Sequence, residues 1–198
     1  MAFTFFFRDS SVIEAAVKEL APLVMGRSFI RIWDAGCAMG PELYTLAMIL
    51  AEKMGKYSFR NVRITATDYD TTFEETVKNA VYDYEFLKRI PPEYFNKYFE
   101  KTDKETEFKL VEDIRNKIEF RVHDLLKLEP AGSNFSFILC KNVLLHFPYP
   151  ERVKVITMFH GALAADGLFV TEHTQEMPKE CEHLFKQVVS NARIYKKI

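Results

Sequence analysis

A chain of 198 residues, 48% of them hydrophobic, is long enough for one folded domain with its own core. Its formal net charge of −1 gives no support to a general nucleic-acid-binding role. No apolar run is long enough to cross a bilayer, so no membrane insertion is expected. Cys37, Cys140 and Cys181 are an odd number with no close pair. They fit reduced thiols in the cytoplasm better than a disulfide framework or a zinc site.

The opening Met-Ala-Phe-Thr-Phe-Phe-Phe has neither the basic start nor the cleavage site of a signal peptide. Phe3, Phe5, Phe6 and Phe7 read as an aromatic anchor packed on the core, followed by a solvated pair, Arg8-Asp9. Ser10 or Ser11 starts a helix, with Glu14 as the reciprocal capping partner of Ser11. Val12, Ile13, Ala16, Val17 and Leu20 form its apolar face, and Pro22 and Gly26 lie near its end.

Phe29, Ile30, Ile32 and Trp33 then make a buried strand. Residues 34–40, Asp-Ala-Gly-Cys-Ala-Met-Gly, form a tight turn. Leu43, Leu46, Ala47 and Leu50 recur at helical spacing in a helix that runs to about Met54, with a turn over residues 55–60. A second strand over 62–67 ends in Asp68-Tyr69-Asp70, and a helix starts at Thr71 or Thr72 and reaches about Ala80. Residues 82–118 are less regular and read as a small insertion within a single domain of residues 1–198. There Pro91-Pro92 begins a short helix, 101–107 form an exposed loop, and the aromatic cluster is core. Strands follow at 108–111, 118–122 and 135–140, the last nearly all apolar, as a central parallel strand should be. Pro150 begins a helix with Val153, Ile156, Met158 and Phe159. Asp166-Gly167 turns into a strand at 168–171, a helix covers 178–190, and a last strand lies near Ile194-Tyr195. The alternation predicts an α/β sheet with crossover helices.

Chemistry concentrates where the predicted strands end. Gly36 and Gly40 let the first turn fold sharply and approach a ligand, and the helix behind them offers free N–H groups. Asp68 follows the second strand, where an acid suits the vicinal hydroxyls of a ribose. Asp124 follows the strand ending near His123, and Asn142 follows the strand ending at Cys140. An acid or amide at the third strand suits the exocyclic amine of adenine. Together these positions describe an adenosine-type site, and the lack of a Gly-Lys-Ser/Thr loop excludes a phosphate-gripping P-loop. Each position alone has a plainer reading, since an Asp after a strand is often a helix cap. Arg8 suits bidentate carboxylate recognition, and His146 can serve as a general base near neutral pH or merely pack. His123, His160, His173 and His183 follow no usable pattern.

These motifs, in this order, resemble the CheR-type chemotaxis receptor glutamate methyltransferases, which use S-adenosylmethionine. The resemblant segments are Phe6-Phe7-Arg8-Asp9, the loop over residues 32–48, Ala66-Thr67-Asp68-Tyr69-Asp70-Thr71, Cys140-Lys141-Asn142-Val143-Leu144-Leu145-His146-Phe147 and the final Ile194-Tyr195-Lys196-Lys197. The resemblance implies a Rossmann-like class I methyltransferase fold, with a seven-stranded, mostly parallel sheet and flanking helices. It implies that Ala35 and Gly36 carry the loop against the methionine portion of the cofactor and that Glu42 faces its amino group. Asp68 would hold the ribose, Asp124 and Leu125 border the adenine, and Asn142 sit near the sulfonium. Arg8 would close over the site and bind a carboxylate of cofactor or substrate. The implied partner is a protein substrate with an acceptor glutamate, with a small-molecule hydroxyl or a non-catalytic binding module as alternatives. Against the family pattern, Pro41 occupies the first of two glutamates and Leu43 a proline. Asp124 replaces an asparagine, Lys141 an arginine and His146 a tyrosine. The helical domain that usually precedes the opening segment in that family is expected to be absent.

Overall fold

A computed structural model describes residues 4–198; the Phe3 part of the aromatic anchor lies outside them. Seven strands form one sheet in the order β6-β2-β1-β7-β8-β10-β9. They are β1 (Ile30–Ala35), β2 (Val62–Asp68), β6 (Ile118–Val122), β7 (Phe135–Leu139), β8 (Leu163–Val170), β9 (Phe185–Gln187) and β10 (Ile194–Lys197). Strands β6, β2, β1, β7 and β8 run parallel, and β10 runs antiparallel to both β8 and β9. From β1 the chain winds outward through β2 to β6, then returns to place β7 on the other side of β1. The strand order therefore reverses between β1 and β7, and ligands of open parallel sheets bind at such a reversal.

The pleat divides the core. Ile30 and Ile32 of β1 join one buried cluster with α1 (Ser10–Val24) and α2 (Pro41–Phe59), while Trp33 and Ala35 join a second with α7 (Tyr149–Ala162). Trp33 is fully buried between Phe135 and Phe159, and its indole N–H donates to Thr67 Oγ1 at 2.9 Å. The predicted turn at Asp166-Gly167 is a bulge inside a longer strand. Phe135 pairs with Leu163, yet Phe137 pairs with Leu168, so the extra residues of β8 loop out while pairing continues.

Between β2 and β6 lie α3 (Phe73–Asn79), the short helices α4 (Tyr84–Leu87), α5 (Pro92–Tyr98) and α6 (Glu112–Arg115), and a separate antiparallel sheet, β3-β5-β4. Its strands are Val81–Asp83, Glu107–Leu110 and Phe99–Lys101. The expected loop at 101–107 is thus only the turn at 102–106. Most aromatics here pack as core: Tyr82, Tyr98 and Phe99 are buried, and Phe95 stacks on Phe99 at 5.8 Å and meets Phe108 edge-on at 5.1 Å, whereas Tyr84 and Phe86 are exposed.

Three further expectations are corrected. The expected cap from Ser11 and Glu14 does not form; Asp9, with φ 48°, occupies the cap position without a side-chain cap bond. Its carboxylate turns instead to Arg8 and Lys141. The second helix reaches Met54 as expected and breaks at Gly55 (φ 72°, ψ 164°), but the expected turn beyond it is a short helical segment that runs to Phe59. The helix expected over 178–190 is a 3₁₀ turn, Lys179–Leu184, followed by β9. Here pairing with the exposed side of β10 (Tyr195 with Gln187, Lys196 with Lys186) wins over local helical spacing.

Candidate active site

A cavity of about 910 Å³ opens at the carboxyl ends of the central strands. The loop after β1 forms its floor. Gly36 N–H and Cys37 N–H both donate to the carbonyl of Thr67, at 2.8 and 3.0 Å, which ties the loop to the end of β2. Gly36 has φ +99°, and a Cβ there would lie 2.3 Å from Cγ2 of Val143. Only glycine lets the loop after β1 sit this close to the loop after β7.

Asp68 closes β2. Its Oδ2 accepts the Ala38 N–H at 2.9 Å and its Oδ1 accepts the Asp70 N–H at 3.1 Å. The carboxylate is thereby fixed at the cavity wall, and each oxygen keeps a lone pair for a ligand hydroxyl. Asp70 does not cap α3, whose cap position is Thr72; its Oδ1 accepts from Thr72 N–H and Oγ1, in the turn before the helix. Asp124 and Leu125 lie on the wall after β6. Asp124 also caps the 3₁₀ turn there, accepting the Leu126 N–H at 2.9 Å.

The loop after β7 holds the densest polar network. Asn142, at φ 57°, donates its backbone N–H to Glu172 Oε2 at 2.9 Å, and Thr171 Oγ1 donates to the same oxygen at 2.8 Å. Arg8 Nη2 donates to Asn142 Oδ1 at 3.2 Å, so the N-terminal segment reaches across to this loop. Phe7 (φ 58°) and Asp9 (φ 48°) flank Arg8 in the left-handed region. Below them Lys141 Nζ sits 2.9 Å from Glu42 Oε2 and 3.7 Å from Asp9 Oδ2. Lys141 and Glu42 side chains are only 1% and 11% exposed, so this pair is almost dry. Burial pushes the Glu42 carboxyl up, and the Lys141 ammonium opposes that rise. His146 lies exposed in the 3₁₀ turn Leu144–His146, on the rim of the same cavity.

The structure therefore brings Arg8, Gly36, Glu42, Asp68, Asp124, Leu125, Asn142 and His146 to one cavity. Ala35 is the exception: its side chain is buried beside Trp33 and Phe135 and faces the core. Sequence reasoning passed over His123, Asp34 and Glu172. His123 lines the cavity; its Nε2 lies 2.8 Å from the Glu129 carbonyl and so carries the proton, which leaves Nδ1 a buried acceptor without a partner. Asp34 is 1% exposed, and neither of its oxygens has a hydrogen-bond partner. The available signals were adjacency to Asp124 for His123, and the position of Asp34 just before the glycine loop. Glu172, which follows β8 as the other site residues follow their strands, gave the same kind of signal.

Size and donor set suit a nucleoside-bearing ligand. The volume is that of a small-molecule site, the acid at β2 is pre-oriented for a diol, and an orphaned acceptor lies beside Asp124 where an exocyclic amine can donate.

A family model described as "CheR methyltransferase, SAM binding domain" matches residues 2–194. Chemotaxis protein methyltransferase 2 of Vibrio cholerae is 28% identical over 182 residues, covering 89% of this chain and 62% of its own length. The probable chemotaxis protein methyltransferase of Rhizobium etli is 24% identical over 192 residues, 94% of this chain and 72% of its own. Among solved structures, a TehB-like SAM-dependent methyltransferase from Corynebacterium glutamicum superposes with a TM-score of 0.51 at 15% identity, over 92% of this chain and 85% of its own. PKMT2 from Rickettsia typhi in complex with AdoHcy gives 0.51 at 15% identity, over 86% of this chain and 26% of its own. At these identities the structural likeness is one of fold alone.

Proposed function

The chain belongs to the CheR methyltransferase SAM-binding domain family, and from that premise we propose that it transfers a methyl group from S-adenosylmethionine to the carboxylate of a protein glutamate. The observation that carries this reading is Arg8, held through Asn142 at the cavity and flanked by two left-handed residues. A guanidinium fixed beside the site of methyl transfer is a carboxylate receptor.

The residues divide the work by strand end. Asp68 takes the ribose hydroxyls. Asp124, Leu125 and His123 Nδ1 border the adenine. Glu42, with Lys141 against it, faces the amino group at the methionine end, and Asn142 lies near the sulfonium. Bound S-adenosylmethionine supplies an electrophilic methyl group on a cationic sulfur. Arg8 would hold the acceptor carboxylate with one oxygen turned towards that methyl group, whose transfer would leave S-adenosylhomocysteine. A glutamate is already ionised near pH 7, so no base is needed, and alignment supplies the acceleration.

Transfer from methyl-labelled cofactor to protein from the native cell extract tests the reading. Label released as methanol in mild base is expected; label stable to base would overturn the carboxylate assignment. Arg8→Lys is expected to slow transfer with cofactor affinity nearly kept. One observation favours a second reading: exposed His146 lines the same cavity and can deprotonate a hydroxyl of a small-molecule acceptor. That reading requires His146→Ala to abolish turnover with such an acceptor, and unchanged turnover would end it.

A further inference from the structure

We propose that a second cleft on the same rim is an anion site for an acidic side chain flanking the acceptor residue of a peptide substrate, an inference that rests on the protein-carboxylate reading above. The cleft measures about 610 Å³. Two stretches of chain join it to the cofactor cavity. Phe147 lines the cavity and Tyr149 the cleft; Glu172 holds the Asn142 N–H, and His173, the next residue, lines the cleft. Two residues of chain reach at most about 7 Å, so an extended peptide can place one side chain at each site.

The lining is cationic. Arg152 comes from α7, Lys179 from the 3₁₀ turn after β8, and Arg193 from the approach to β10. Glu176 is the one acid among the lining residues; its side chain is 83% exposed and lies 3.3 Å from Arg193 Nη2. Both guanidinium groups are already steered by the protein. Arg152 lies over the Tyr149 ring at 5.5 Å and donates from Nη1 to Gln175 Oε1 at 3.3 Å, while its Nε is buried without an acceptor. Arg193 donates from Nε to the His173 carbonyl at 3.1 Å. Planar cations held in place, one of them with its Nε buried without an acceptor, suit a carboxylate, and the charge balance disfavours a basic side chain.

The test is fluorescence anisotropy with a labelled glutamate-rich peptide and its glutamine counterpart, on protein saturated with S-adenosylhomocysteine. The glutamate peptide is expected to bind about tenfold more tightly, as charge complementarity requires. Lys179→Gln, at an exposed position where folding is not at stake, and Arg193→Gln should each remove much of that preference with S-adenosylhomocysteine affinity unchanged. Equal binding of the two peptides by the unaltered protein, or a preference untouched by both substitutions, overturns the proposal. Methyl transfer to the glutamate peptide is read separately: charge-selective binding without transfer would count against the carboxyl-methylation reading and leave the anion site standing.

Discussion

Four non-glycine residues around the cavity sit in the left-handed region: Phe7, Asp9, Ala38 and Asn142. Such conformations cost of order 1–3 kcal/mol each and persist where neighbours hold them. Here the holding bonds are visible: Phe7 N–H to Thr45 Oγ1, Ala38 N–H to Asp68, and Asn142 N–H to Glu172. Gly36 is the point of least tolerance. Gly36→Ala is expected to lose about 2–5 kcal/mol, from overpacking against Val143 together with strain at φ +99°. The double variant Gly36→Ala, Val143→Ala should recover only the packing part, as read from urea unfolding midpoints. Asp34 makes a prediction of the opposite sign. Burial, and then the Glu42 and Asp68 carboxylates, push its carboxyl well above the usual range, against the pull of Lys141. The folded state thus keeps a proton that the unfolded chain releases above about pH 4. The contribution of that proton to stability is full below pH 4 and is lost as pH rises towards the folded pKa. Asp34→Asn keeps the shape and removes the titration. Its stability relative to the parent should therefore climb as pH rises above about 4, by up to about 1.4 kcal/mol per unit, and level off once the pH passes the folded pKa. A difference that stays flat with pH would show that Asp34 is ionised in the fold.

At the scale of elements, the N-terminal segment is held by aromatics rather than by strand pairing. Phe6 is fully buried, edge-on to Tyr82 at 5.1 Å and Phe99 at 5.7 Å, and Phe7 meets Tyr94 at 4.8 Å. The small sheet β3-β5-β4 and α5 thus form the seat that carries Arg8 to Asn142. Phe6→Ala is expected to raise amide exchange over residues 4–9 and tryptic cleavage after Arg8, and to leave exchange in β1 and β7 unchanged; equal protection throughout would mean that the seat is not needed. Elements whose signal is local were legible in the sequence. The strand–loop–helix at Ile30 to Phe59 announced itself through alternating apolar residues and paired glycines, and β7 through its unbroken apolar run. Elements decided by distant partners were not. Residues 185–187 carry helix-compatible spacing and become a strand only because β10 offers an unpaired edge. The same holds at the site. Residues at strand ends could be read in order, whereas the Lys141–Glu42 pair, 99 positions apart in the chain, appears only when β1 and β7 lie side by side.

The loops after β1, β2, β6 and β7 line one cavity, so a single ligand bound there can touch all four and add to the bonds that already tie them, such as Ala38 N–H to Asp68 and Lys141 to Glu42. A ligand that binds the folded state alone adds its binding free energy to the stability of all four together. At a hundred times its dissociation constant, S-adenosylhomocysteine should stabilise the protein by about 2.7 kcal/mol, which for a domain of this size raises the melting temperature by about 5–10 °C. Asp68 is the contact whose loss should be felt most specifically. Its two oxygens already hold the Ala38 and Asp70 amides, so Asp68→Ala both removes the acceptor proposed for the ribose and loosens the loop after β1. Binding should weaken by roughly 1–3 kcal/mol, the usual cost of leaving a hydrogen bond to a charged group unmade. Asp68→Asn separates the two effects. Its carbonyl can still accept from one of the amides, so stability without ligand should stay near that of the parent while affinity falls. Calorimetric titration beside thermal melts reads both quantities. Unchanged affinity in Asp68→Asn would move the ribose away from the end of β2, and the assignment of every other cavity residue to a part of the cofactor would have to move with it.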